Sequence, residues 1–306
     1  MKTSYIEGFG GPDVVQLGNA AAPALTAHES AVRIEMASVN PLDLKIIAGA
    51  MQQVFPVTFP YTPGTDFSGV VDAVGSAVTD LKPGDRVVGR TAPSAGGAFA
   101  KCLVISASDL VIIPDGMSFE QAASLPTAFG AARLALFDAG GLVSGQRVLI
   151  HAGAGGVGVM AVQLARNAGA YVIATASGKN IDLVRSLGAN EVIDYRSDDF
   201  TKQRGVDLVI DTLGGEILEK SWSVLAPGGR ITSLVAFDIP SRHGHAGAFV
   251  ALSEAASVLP EAIALFLAGR LQIITDTIFD LDDTRAALEK LSTGHARGKV
   301  LIRTSH

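Results

Sequence analysis

The chain has 306 residues, of which 48% are hydrophobic and 18% charged, and its 24 basic and 30 acidic side chains give a formal net charge of −6. This length allows one large or two ordinary domains, and the apolar fraction excludes a disordered, collagen-like or coiled-coil chain. The mild acidity argues against nucleic acid or an anionic membrane as a partner. The single cysteine, Cys102, excludes an intramolecular disulfide and a multi-cysteine zinc site.

The first residues lack the long apolar stretch of a secretory signal. The best candidate for a membrane span, residues 148–165, is interrupted by His151, Gln163 and several glycines. We therefore expect a soluble, cytoplasmic protein without a membrane partner.

Between Tyr5 and about Pro114, short runs rich in β-forming residues alternate with glycine and proline turns. This pattern is typical of an antiparallel, barrel-like β unit. The runs predicted to be strands are Ala31–Glu35, Gly69–Val74, Asp85–Gly89 and Leu103–Ser106.

From about Gly116 the pattern changes to short, nearly continuous apolar runs that alternate with helical segments. Runs without a polar face indicate parallel strands covered on both sides, so the alternation predicts a doubly wound sheet. The predicted strands are Val148–His151, Tyr171–Ala176, Glu191–Asp194, Asp207–Asp211, Arg230–Val235 and Ala248–Leu252. The predicted helices are Val157–Ala168, Lys179–Leu187, Glu216–Leu225 and Ser253–Ala268.

The tail after Leu271 predicts a strand, a helix over Asp282–Leu291 and a final strand over Lys299–Arg303. We expect this tail to rejoin the first region. The predicted domains are therefore residues 1–115 with 268–306, and residues 116–267. The predicted fold class is α/β, with a β-barrel domain and a doubly wound parallel-sheet domain.

The most informative segment carries Gly153, Gly155 and Gly158 in G-x-G-x-x-G spacing between a predicted strand and helix. In a dinucleotide site, the first glycine permits the tight turn and the second lets the backbone approach a pyrophosphate. The third lets the helix pack on the strand, and the N–H groups at the helix start face the anion. The alternative is a glycine-rich turn that binds no ligand.

The end of the next strand bears on which dinucleotide would bind. An NAD site usually has an acidic residue there for the ribose 2′-hydroxyl, but residues 176–179 are Ala-Ser-Gly-Lys. The hydroxyl of Ser177 and the ammonium of Lys179 suit a 2′-phosphate and favour NADPH. The alternative is that Ser177 caps the following helix and that Lys179 is a solvated surface residue.

Several separated motifs resemble those of the zinc-independent, zeta-crystallin-like quinone oxidoreductases of the medium-chain dehydrogenase/reductase superfamily. Their order and spacing extend over nearly the whole chain. In chain order they are Ser38–Lys45, Pro63–Val71, Leu81–Val87, Ala122–Ala128, Ala152–Gly158, Leu187–Ala189, Val192–Tyr195 and Gly298–Val300.

The resemblance implies a GroES-like catalytic domain, a Rossmann domain that binds NADPH, and a homodimer that pairs through the edge strand 248–252. An unprotected apolar edge strand is also a physical reason to expect a partner. The residues that the resemblance assigns to the cofactor are Thr127 at the nicotinamide end, Gly153, Gly155, Gly156, Val157 and Gly158 in the loop, Ser177, Lys179 and Tyr195 at the 2′-phosphate end, and Val235.

The chain departs from the zinc-containing relatives, because Gly64-Thr65-Asp66 stands where they carry Gly-His-Glu and no cysteine cluster is present. We therefore predict no metal site. The Asn-Pro-x-Asp-x-Lys motif at 40–45 instead resembles the alkenal and enone reductase branch.

Reduction of a quinone or an α,β-unsaturated carbonyl needs no metal, because hydride adds at a conjugated carbon and the charge spreads to an oxygen. A positioned donor can stabilise that oxyanion. We assign Lys45 as this donor, with solvent or Lys45 supplying the proton. Asn40 would orient the nicotinamide ribose or the substrate, and Asp43 would tether Lys45 or Asn40. The alternative is that the motif builds a turn and that Lys45 is a surface residue.

The sequence therefore predicts an NADPH-dependent reductase of quinones or α,β-unsaturated carbonyls. The alternatives are an enoyl-thioester reductase and a non-catalytic NADPH-binding protein. We interpret His151 as a packing or loop-stabilising residue, and His243 and His245 as solvated. Asp211 either reaches the cofactor crevice or caps the following helix.

Overall fold

A computed structural model describes residues 1–21, 24–242, 244–251 and 255–305. The chain divides into two compact units, each of which is built from more than one segment. The first unit comprises Met1–Thr127, Ala255–Ile263 and Thr275–His306, and the second comprises Ala128–Glu254 and Ala264–Ile274.

The strands and helices are named in chain order. The strands are β1 Lys2–Tyr5, β2 Gln16–Asn19, β3 Glu29–Val39, β4 Asp66–Val74, β5 Arg86–Arg90, β6 Cys102–Ser106, β7 Leu110–Ile112, β8 Arg147–Ile150, β9 Tyr171–Ala176, β10 Glu191–Asp194, β11 Val206–Asp211, β12 Leu225–Ser233, β13 Ala246–Phe249, β14 Thr275–Asp280 and β15 Lys299–Arg303. The helices are α1 Pro41–Ile47, α2 Phe119–Ala123, α3 Pro126–Arg133, α4 Gly156–Asn167, α5 Ile181–Ser186, α6 Gly215–Ser221, α7 Ala255–Leu267 and α8 Thr284–Ser292. No helix of the described segments is long and apolar enough to cross a bilayer.

The first unit is organised around a seven-stranded sheet with the order β14-β15-β3-β4-β5-β7, in which β6 also pairs with β3. The pairings are antiparallel except for β14 with β15, which are parallel. The tail strand β15 lies beside β3, with Val300 opposite Val39. This register brings the start of the tail strand next to the end of β3, where α1 begins.

The second unit contains a six-stranded parallel sheet with the order β10-β9-β8-β11-β12-β13. The first strand of this sheet in the chain, β8, lies in the middle, and the later strands are added first on one side and then on the other. This is the doubly wound arrangement that the apolar runs predicted. Its hydrophobic core includes Leu149, Ile173, Val209 and Trp222. Because successive strands are parallel, their carboxyl ends lie at one edge of the sheet.

Most predicted elements of this sheet occur where they were expected, and β9 and β10 have the predicted bounds. Strand β12, however, ends at Ser233 and not at Val235. The reason is that the Ser233 hydroxyl accepts the N–H groups of Val235 and Ala236 at 3.2 and 3.0 Å, which turns the chain out of the sheet. The edge strand lies at 246–249, earlier than the predicted 248–252. Leu252 and Ser253 lie outside the described residues.

Residues 116–127 pack with the first unit, because α2 contacts β3, β4 and β5. The sequence assigned this segment to the dinucleotide-binding domain. The predicted domain boundaries, residues 1–115 with 268–306 and residues 116–267, therefore stay predictions.

Candidate active site

The glycine loop follows β8 and leads directly into α4. Ala152 adopts a φ of 52° and is the only described residue other than glycine with a positive φ. A Cβ on Gly158 would lie 2.1 Å from the Ala152 carbonyl oxygen, and a Cβ on Gly153 would lie 2.9 Å from Cβ of Ala174. These two glycines are therefore required by the close approach of the chain to itself.

Gly155 is less constrained by the fold than Gly153 and Gly158. It is the N-cap of α4 with an ordinary φ of −78°, and a Cβ there would meet only the Ala152 oxygen, at 3.3 Å. No side chain caps the helix, and Gly156 and Val157 in its first turn are only half-buried. A half-buried helix start without a side-chain cap fits the pyrophosphate of a nicotinamide dinucleotide.

The residues predicted for the 2′-phosphate end lie where two parallel strands terminate. Ala176 at the end of β9 is opposite Asp194 at the end of β10, so 177–179 and 195–196 share one edge of the sheet. Lys179 and Tyr195 are exposed, whereas Ser177 is buried and its hydroxyl accepts a hydrogen bond from Asn180 Nδ2 at 3.2 Å. This geometry gives Ser177 a local structural partner as well.

Two charged residues at this edge were not singled out from the sequence. The Arg196 guanidinium lies 5.8 Å from the ring centroid of Tyr195, so the sheet edge that carries Lys179 carries a second cation. Asp194 adds a negative charge at the same edge. Its Oδ2 lies close to Gly178, since a Cβ on that glycine would be 2.6 Å from it. The signal for Arg196 was its position directly after the Val192–Tyr195 motif.

Asp211 fixes the turns after two neighbouring strands. Its Oδ1 accepts the N–H groups of Leu213 and Gly214 at 3.0 and 2.8 Å, and its Oδ2 accepts the Ser233 hydroxyl at 2.7 Å. The carboxylate is fully buried, so it holds the turn before α6 in place. Val235 lies half-buried just beyond β12, next to Gly214.

In the first unit, the Asn40–Lys45 motif forms the start of α1. Asn40 is the N-cap, Pro41 occupies the first helical position, and Gly49 ends the segment with a φ of 75°. The buried Asp43 carboxylate accepts the Asn40 backbone N–H at 2.7 Å, which ties down the first turn. The motif therefore builds a short helix in which Asp43 tethers Asn40.

The side chain of Asn40 is held from both ends by charged residues. Its Nδ2 donates to Asp66 Oδ2 at 3.0 Å, and its Oδ1 accepts from the Lys299 ammonium, which also donates to the Val39 carbonyl at 3.2 Å. Because the carboxylate can only accept and the ammonium can only donate, the orientation of the amide is fixed. Asn40 is 2% exposed, so this amide is committed to the protein interior.

Thr127 is joined to the same network through Asp66. The Thr127 backbone N–H and hydroxyl donate to the two Asp66 oxygens at 3.1 and 2.7 Å, and Arg90 Nε donates to the Thr127 hydroxyl at 3.1 Å. Arg90 Nε also lies 3.7 Å from Asp66 Oδ1. We call Asn40, Asp43, Asp66, Arg90, Thr127 and Lys299 the buried charged cluster.

Burial dominates the protonation behaviour of this cluster. Desolvation raises the pKa of Asp43 to about 7, a shift that the nearby Asp66 charge reinforces and that the Asn40 N–H, Lys299 and Arg90 oppose. Desolvation also lowers the pKa of Lys299, against the attraction of Asp66 and Asp43. Asp43 Oδ1 is buried with no hydrogen-bond partner among the described residues. This atom is where a proton would reside.

Lys45 lies one turn into α1 and behaves differently from the cluster. Its side chain is half-buried, and it makes no hydrogen bond or ion pair within the described segments of the chain. Its ammonium is therefore available to a ligand. Lys299 was quoted within the Gly298–Val300 motif but was given no role from sequence, although a lysine that begins an apolar strand is itself a signal of burial.

The remaining candidates have structural partners. His151 is buried between Thr175 and Ser221, with ring nitrogens 3.3 and 3.0 Å from their hydroxyls. His245 Nδ1 lies 3.1 Å from the Gly229 carbonyl, so it donates to the chain rather than being merely solvated. His243 lies outside the described residues.

Comparison with protein families gives two matches that together span most of the chain. Residues 26–115 match the alcohol dehydrogenase GroES-like domain, and residues 187–302 match a family described as zinc-binding dehydrogenase. Together with the two sheets, these matches confirm the predicted fold class, in which a GroES-like domain is joined to a Rossmann-type sheet.

Two curated relatives are similar but much longer. The chain is 36% identical over 236 residues to the synaptic vesicle membrane protein VAT-1 homolog of Danio rerio, covering 74% of this chain and 48% of that protein. It is also 36% identical over 307 residues to erythronolide synthase EryA2 of Saccharopolyspora erythraea, covering 95% of this chain and 8% of that protein. The chain thus spans about half, or far less, of these relatives.

Solved structures match over the whole length. The quinone oxidoreductase from Coxiella burnetii is 32% identical, with a TM-score of 0.94 and coverage of 100% of this chain and 99% of that one. The Escherichia coli quinone oxidoreductase complexed with NADPH is 26% identical, with a TM-score of 0.90 and coverage of 99% and 100%. The CurK enoyl reductase is 27% identical, with a TM-score of 0.89 and coverage of 99% of both chains.

The motifs quoted from the sequence, the two sheets and the full-length similarity to a solved quinone oxidoreductase therefore agree. The chain belongs to the medium-chain dehydrogenase/reductase superfamily, within its quinone oxidoreductase family.

Proposed function

We propose that the protein is a zinc-independent reductase that uses NADPH to reduce quinones or α,β-unsaturated carbonyl compounds. The observation that carries the proposal is the glycine loop, in which the fold excludes a Cβ at Gly158 and Gly153 and leaves a single tight contact of 3.3 Å at Gly155. A glycine at an uncapped helix start is the arrangement that a pyrophosphate needs, because the backbone can approach the anion closely. When bound, the nicotinamide supplies a hydride.

The preference for NADPH rests on the edge formed by β9 and β10. Lys179 and Arg196 provide cations and the Ser177 hydroxyl a donor, while no acid follows β9 at the position that would bind a ribose 2′-hydroxyl. The solved relative from E. coli is complexed with NADPH. Asp194 opposes an added negative charge, so the preference depends on the two cations outweighing it.

The coenzyme preference can be tested with Lys179→Ala. We expect KM for NADPH to rise about tenfold, because one charge-assisted hydrogen bond to the 2′-phosphate is lost, while KM for NADH is unchanged. Lys202→Ala, at an exposed lysine of the same unit, is the matched control. A wild-type enzyme that prefers NADH would contradict the proposal.

For the acceptor, we propose that Lys45 stabilises the developing oxyanion. Hydride addition at the conjugated carbon moves an electron pair to the carbonyl or quinone oxygen, and a proton from Lys45 or solvent then completes the reduction. Lys45 has a charge, partial burial and no partner among the described residues. Asp43 and Asn40 position Lys45 indirectly, because their hydrogen bond stabilises the first turn of α1. Thr127 is proposed to contact the nicotinamide end.

The proposal of zinc independence rests on the donor atoms available. Asp66, the acidic residue of the Gly64-Thr65-Asp66 segment, already accepts from Asn40, Thr65 and Thr127. In the described part of the chain, no three His, Cys, Asp or Glu residues converge as a metal site would require. We expect an enone or quinone activity that is unaffected by a chelator; activity lost to the chelator and restored by zinc would contradict this.

The decisive variant is Lys45→Met. Loss of an oxyanion donor in a desolvated site typically costs roughly 3–4 kcal/mol of activation free energy, so kcat/KM should fall by a factor of about 10² to 10³. NADPH affinity, measured by fluorescence titration, should not change. Lys82→Met is the control, since that lysine is solvated in the turn before β5. Full activity in Lys45→Met would refute the assignment.

A second candidate function is the reduction of enoyl thioesters, and the similarity to the CurK enoyl reductase favours it. The hydride chemistry is the same, so only the acceptor distinguishes the two. A panel of quinones, enones and enoyl-CoA compounds, each assayed with NADPH, separates them. Turnover of the thioester alone would favour this candidate, and NADPH binding without any turnover would favour a non-catalytic role.

We also propose a homodimer that forms through β13, the edge strand of the six-stranded sheet. In the described residues β13 pairs only with β12, so one side carries unpaired backbone groups. Light scattering on the purified protein would show twice the 31.5 kDa chain mass if this is correct. A monomer at micromolar concentration would contradict it.

A further inference from the structure

His151 lies at the start of the glycine loop, and its hydrogen bonds can be assigned completely. The Ser221 hydroxyl donates to the Ile217 carbonyl at 2.6 Å, so its only hydrogen is used. Ser221 Oγ, 3.0 Å from His151 Nε2, must therefore accept from that nitrogen. His151 consequently carries a hydrogen on Nε2.

The other ring nitrogen faces a threonine that contacts the loop backbone. Thr175 Oγ1, near the end of β9, accepts the Ala152 N–H at 3.2 Å and lies 3.3 Å from His151 Nδ1. With Nε2 protonated and the ring neutral, Nδ1 is an acceptor, so the Thr175 hydroxyl donates to it. The hydroxyl's lone pairs are thereby directed towards the Ala152 N–H.

Burial keeps the imidazole neutral. The ring is 1% exposed and packs edge-on against Phe200, with centroids 4.7 Å apart. Desolvation lowers the pKa of His151 to about 4, against an opposite effect of the Asp211 charge. The neutral ring therefore predominates at neutral pH.

The backbone that this network holds is the turning point of the loop. Ala152 has the positive φ of 52°, and its carbonyl oxygen accepts the Gly155 N–H at 2.9 Å. The same oxygen is the atom that leaves Gly158 no room for a Cβ. A left-handed conformation costs a non-glycine residue about 1–2 kcal/mol, so it needs outside support.

We propose that His151, as the Nε2–H tautomer, is a positioning residue for the coenzyme: through the Thr175 hydroxyl it fixes Ala152 in its left-handed conformation and so preforms the pyrophosphate loop. The inference rests on the proposed binding of a nicotinamide dinucleotide. His151 takes no part in hydride transfer and does not touch the reacting atoms.

The first test removes the side-chain hydrogen bonds of Thr175 or of His151 by substitutions of similar shape. Thr175→Val should raise the Kd for NADPH about tenfold while kcat at saturating coenzyme stays within twofold of the wild-type value. His151→Phe should have at least as large an effect on Kd, although part of it would come from repacking. Ser186→Ala, at an exposed serine on α5 of the same unit, is the control and should leave Kd unchanged.

The second test reads the tautomer directly. Nitrogen-15 NMR of the wild-type imidazole should show a protonated Nε2 and a bare Nδ1 from pH 8 down to pH 5, and the Ala152 amide should exchange faster in Thr175→Val. An Nδ1–H tautomer, or an unchanged Kd in Thr175→Val, would overturn this inference alone. A wild-type protein that binds no nicotinamide dinucleotide would overturn the proposed function and this inference together.

Discussion

The two candidate sites of this protein are formed by different kinds of chemical group. The buried charged cluster of the first unit depends on ionised side chains, with Lys299 and Arg90 set against Asp66 and Asp43. The glycine loop of the second unit depends on backbone, on missing Cβ atoms and on one neutral histidine. One site therefore responds to charge and pH, and the other to the volume of a single methyl group.

The difference follows from what each site has to hold. In the cluster, Asn40 has no intrinsic preference for one orientation of its amide, and only charged partners of opposite role can fix it. In the loop, the pyrophosphate of the proposed coenzyme would be bound by N–H groups of the main chain, so side chains there would block it. Three predictions use this contrast, beginning with the largest expected effect.

Lys299→Met should be the most damaging change to the cluster. It removes the donor to Asn40 Oδ1 and leaves the Asp66 and Asp43 carboxyls buried with Arg90 as the remaining cation. Leaving a buried charge uncompensated typically costs about 3–5 kcal/mol. The free energy of unfolding should fall accordingly, as measured by urea denaturation followed by circular dichroism. Lys220→Met removes an exposed pair with Glu216 and should change little. Equal losses of unfolding free energy in the two variants would show that burial does not make the interactions of Lys299 stronger than those of an exposed lysine.

Asp43→Asn should flatten the dependence of stability on pH. With a folded pKa of about 7 and an unfolded value near 4, the folded state alone keeps the proton between pH 4 and pH 7, so wild-type stability decreases as pH rises through this window. The contribution is complete below about pH 4 and absent above about pH 7, and amounts to at most about 4 kcal/mol.

The asparagine variant lacks this proton, and its amide oxygen can still accept the Asn40 N–H. Urea midpoints between pH 4 and pH 8 should therefore show a smaller slope than in the wild type, and a relative gain in stability at pH 8. Asp72→Asn, at a partly exposed carboxylate, is the control. An unchanged slope in Asp43→Asn would mean that Asp43 is ionised throughout.

The smallest free-energy change is expected in the glycine loop, where two alanine variants should have separate consequences. Gly158→Ala forces a Cβ to within 2.1 Å of a backbone oxygen and should destabilise the protein by about 1–3 kcal/mol. Gly155→Ala brings a Cβ to 3.3 Å from the same oxygen, which a shift of a few tenths of an ångström relieves, so it should destabilise the protein less than Gly158→Ala. Its methyl group faces the approaching pyrophosphate, so the Kd for NADPH should rise about tenfold. Gly8→Ala, where the space is open, is the control. Normal NADPH affinity in Gly155→Ala would place the phosphates elsewhere.

Much of the second unit could be predicted because local patterns specify it. Continuous apolar runs gave the bounds of β9 and β10, and the glycine spacing located the loop. The misplaced end of β12 shows the limit of this approach. Residues 230–235 were predicted to form one strand, but the Ser233 hydroxyl accepts two backbone N–H groups and turns the chain two residues earlier.

The functional assignments in the first unit were harder to predict. Asn40, Asp43 and Lys45 form one short motif, and the structure separates them into two buried residues and one half-buried residue that has no side-chain partner among the described residues. Lys299 and Arg90 could not be connected with Asn40 and Thr127 from spacing, because their contacts join positions up to 259 residues apart.

The sequence by itself determined the parallel sheet and the glycine loop, because each depends on residues that are close together in the chain. It also determined the family, because the motifs follow one another in the expected order and spacing. The tertiary structure alone decided which polar side chains are committed to one another. Pairing of β15 with β3 brings a tail lysine to the asparagine that begins α1, and the parallel strands carry Thr175 to His151. Hydrogen bonds act only over about 3 Å, so their partners are fixed by the folded chain and not by separation along it.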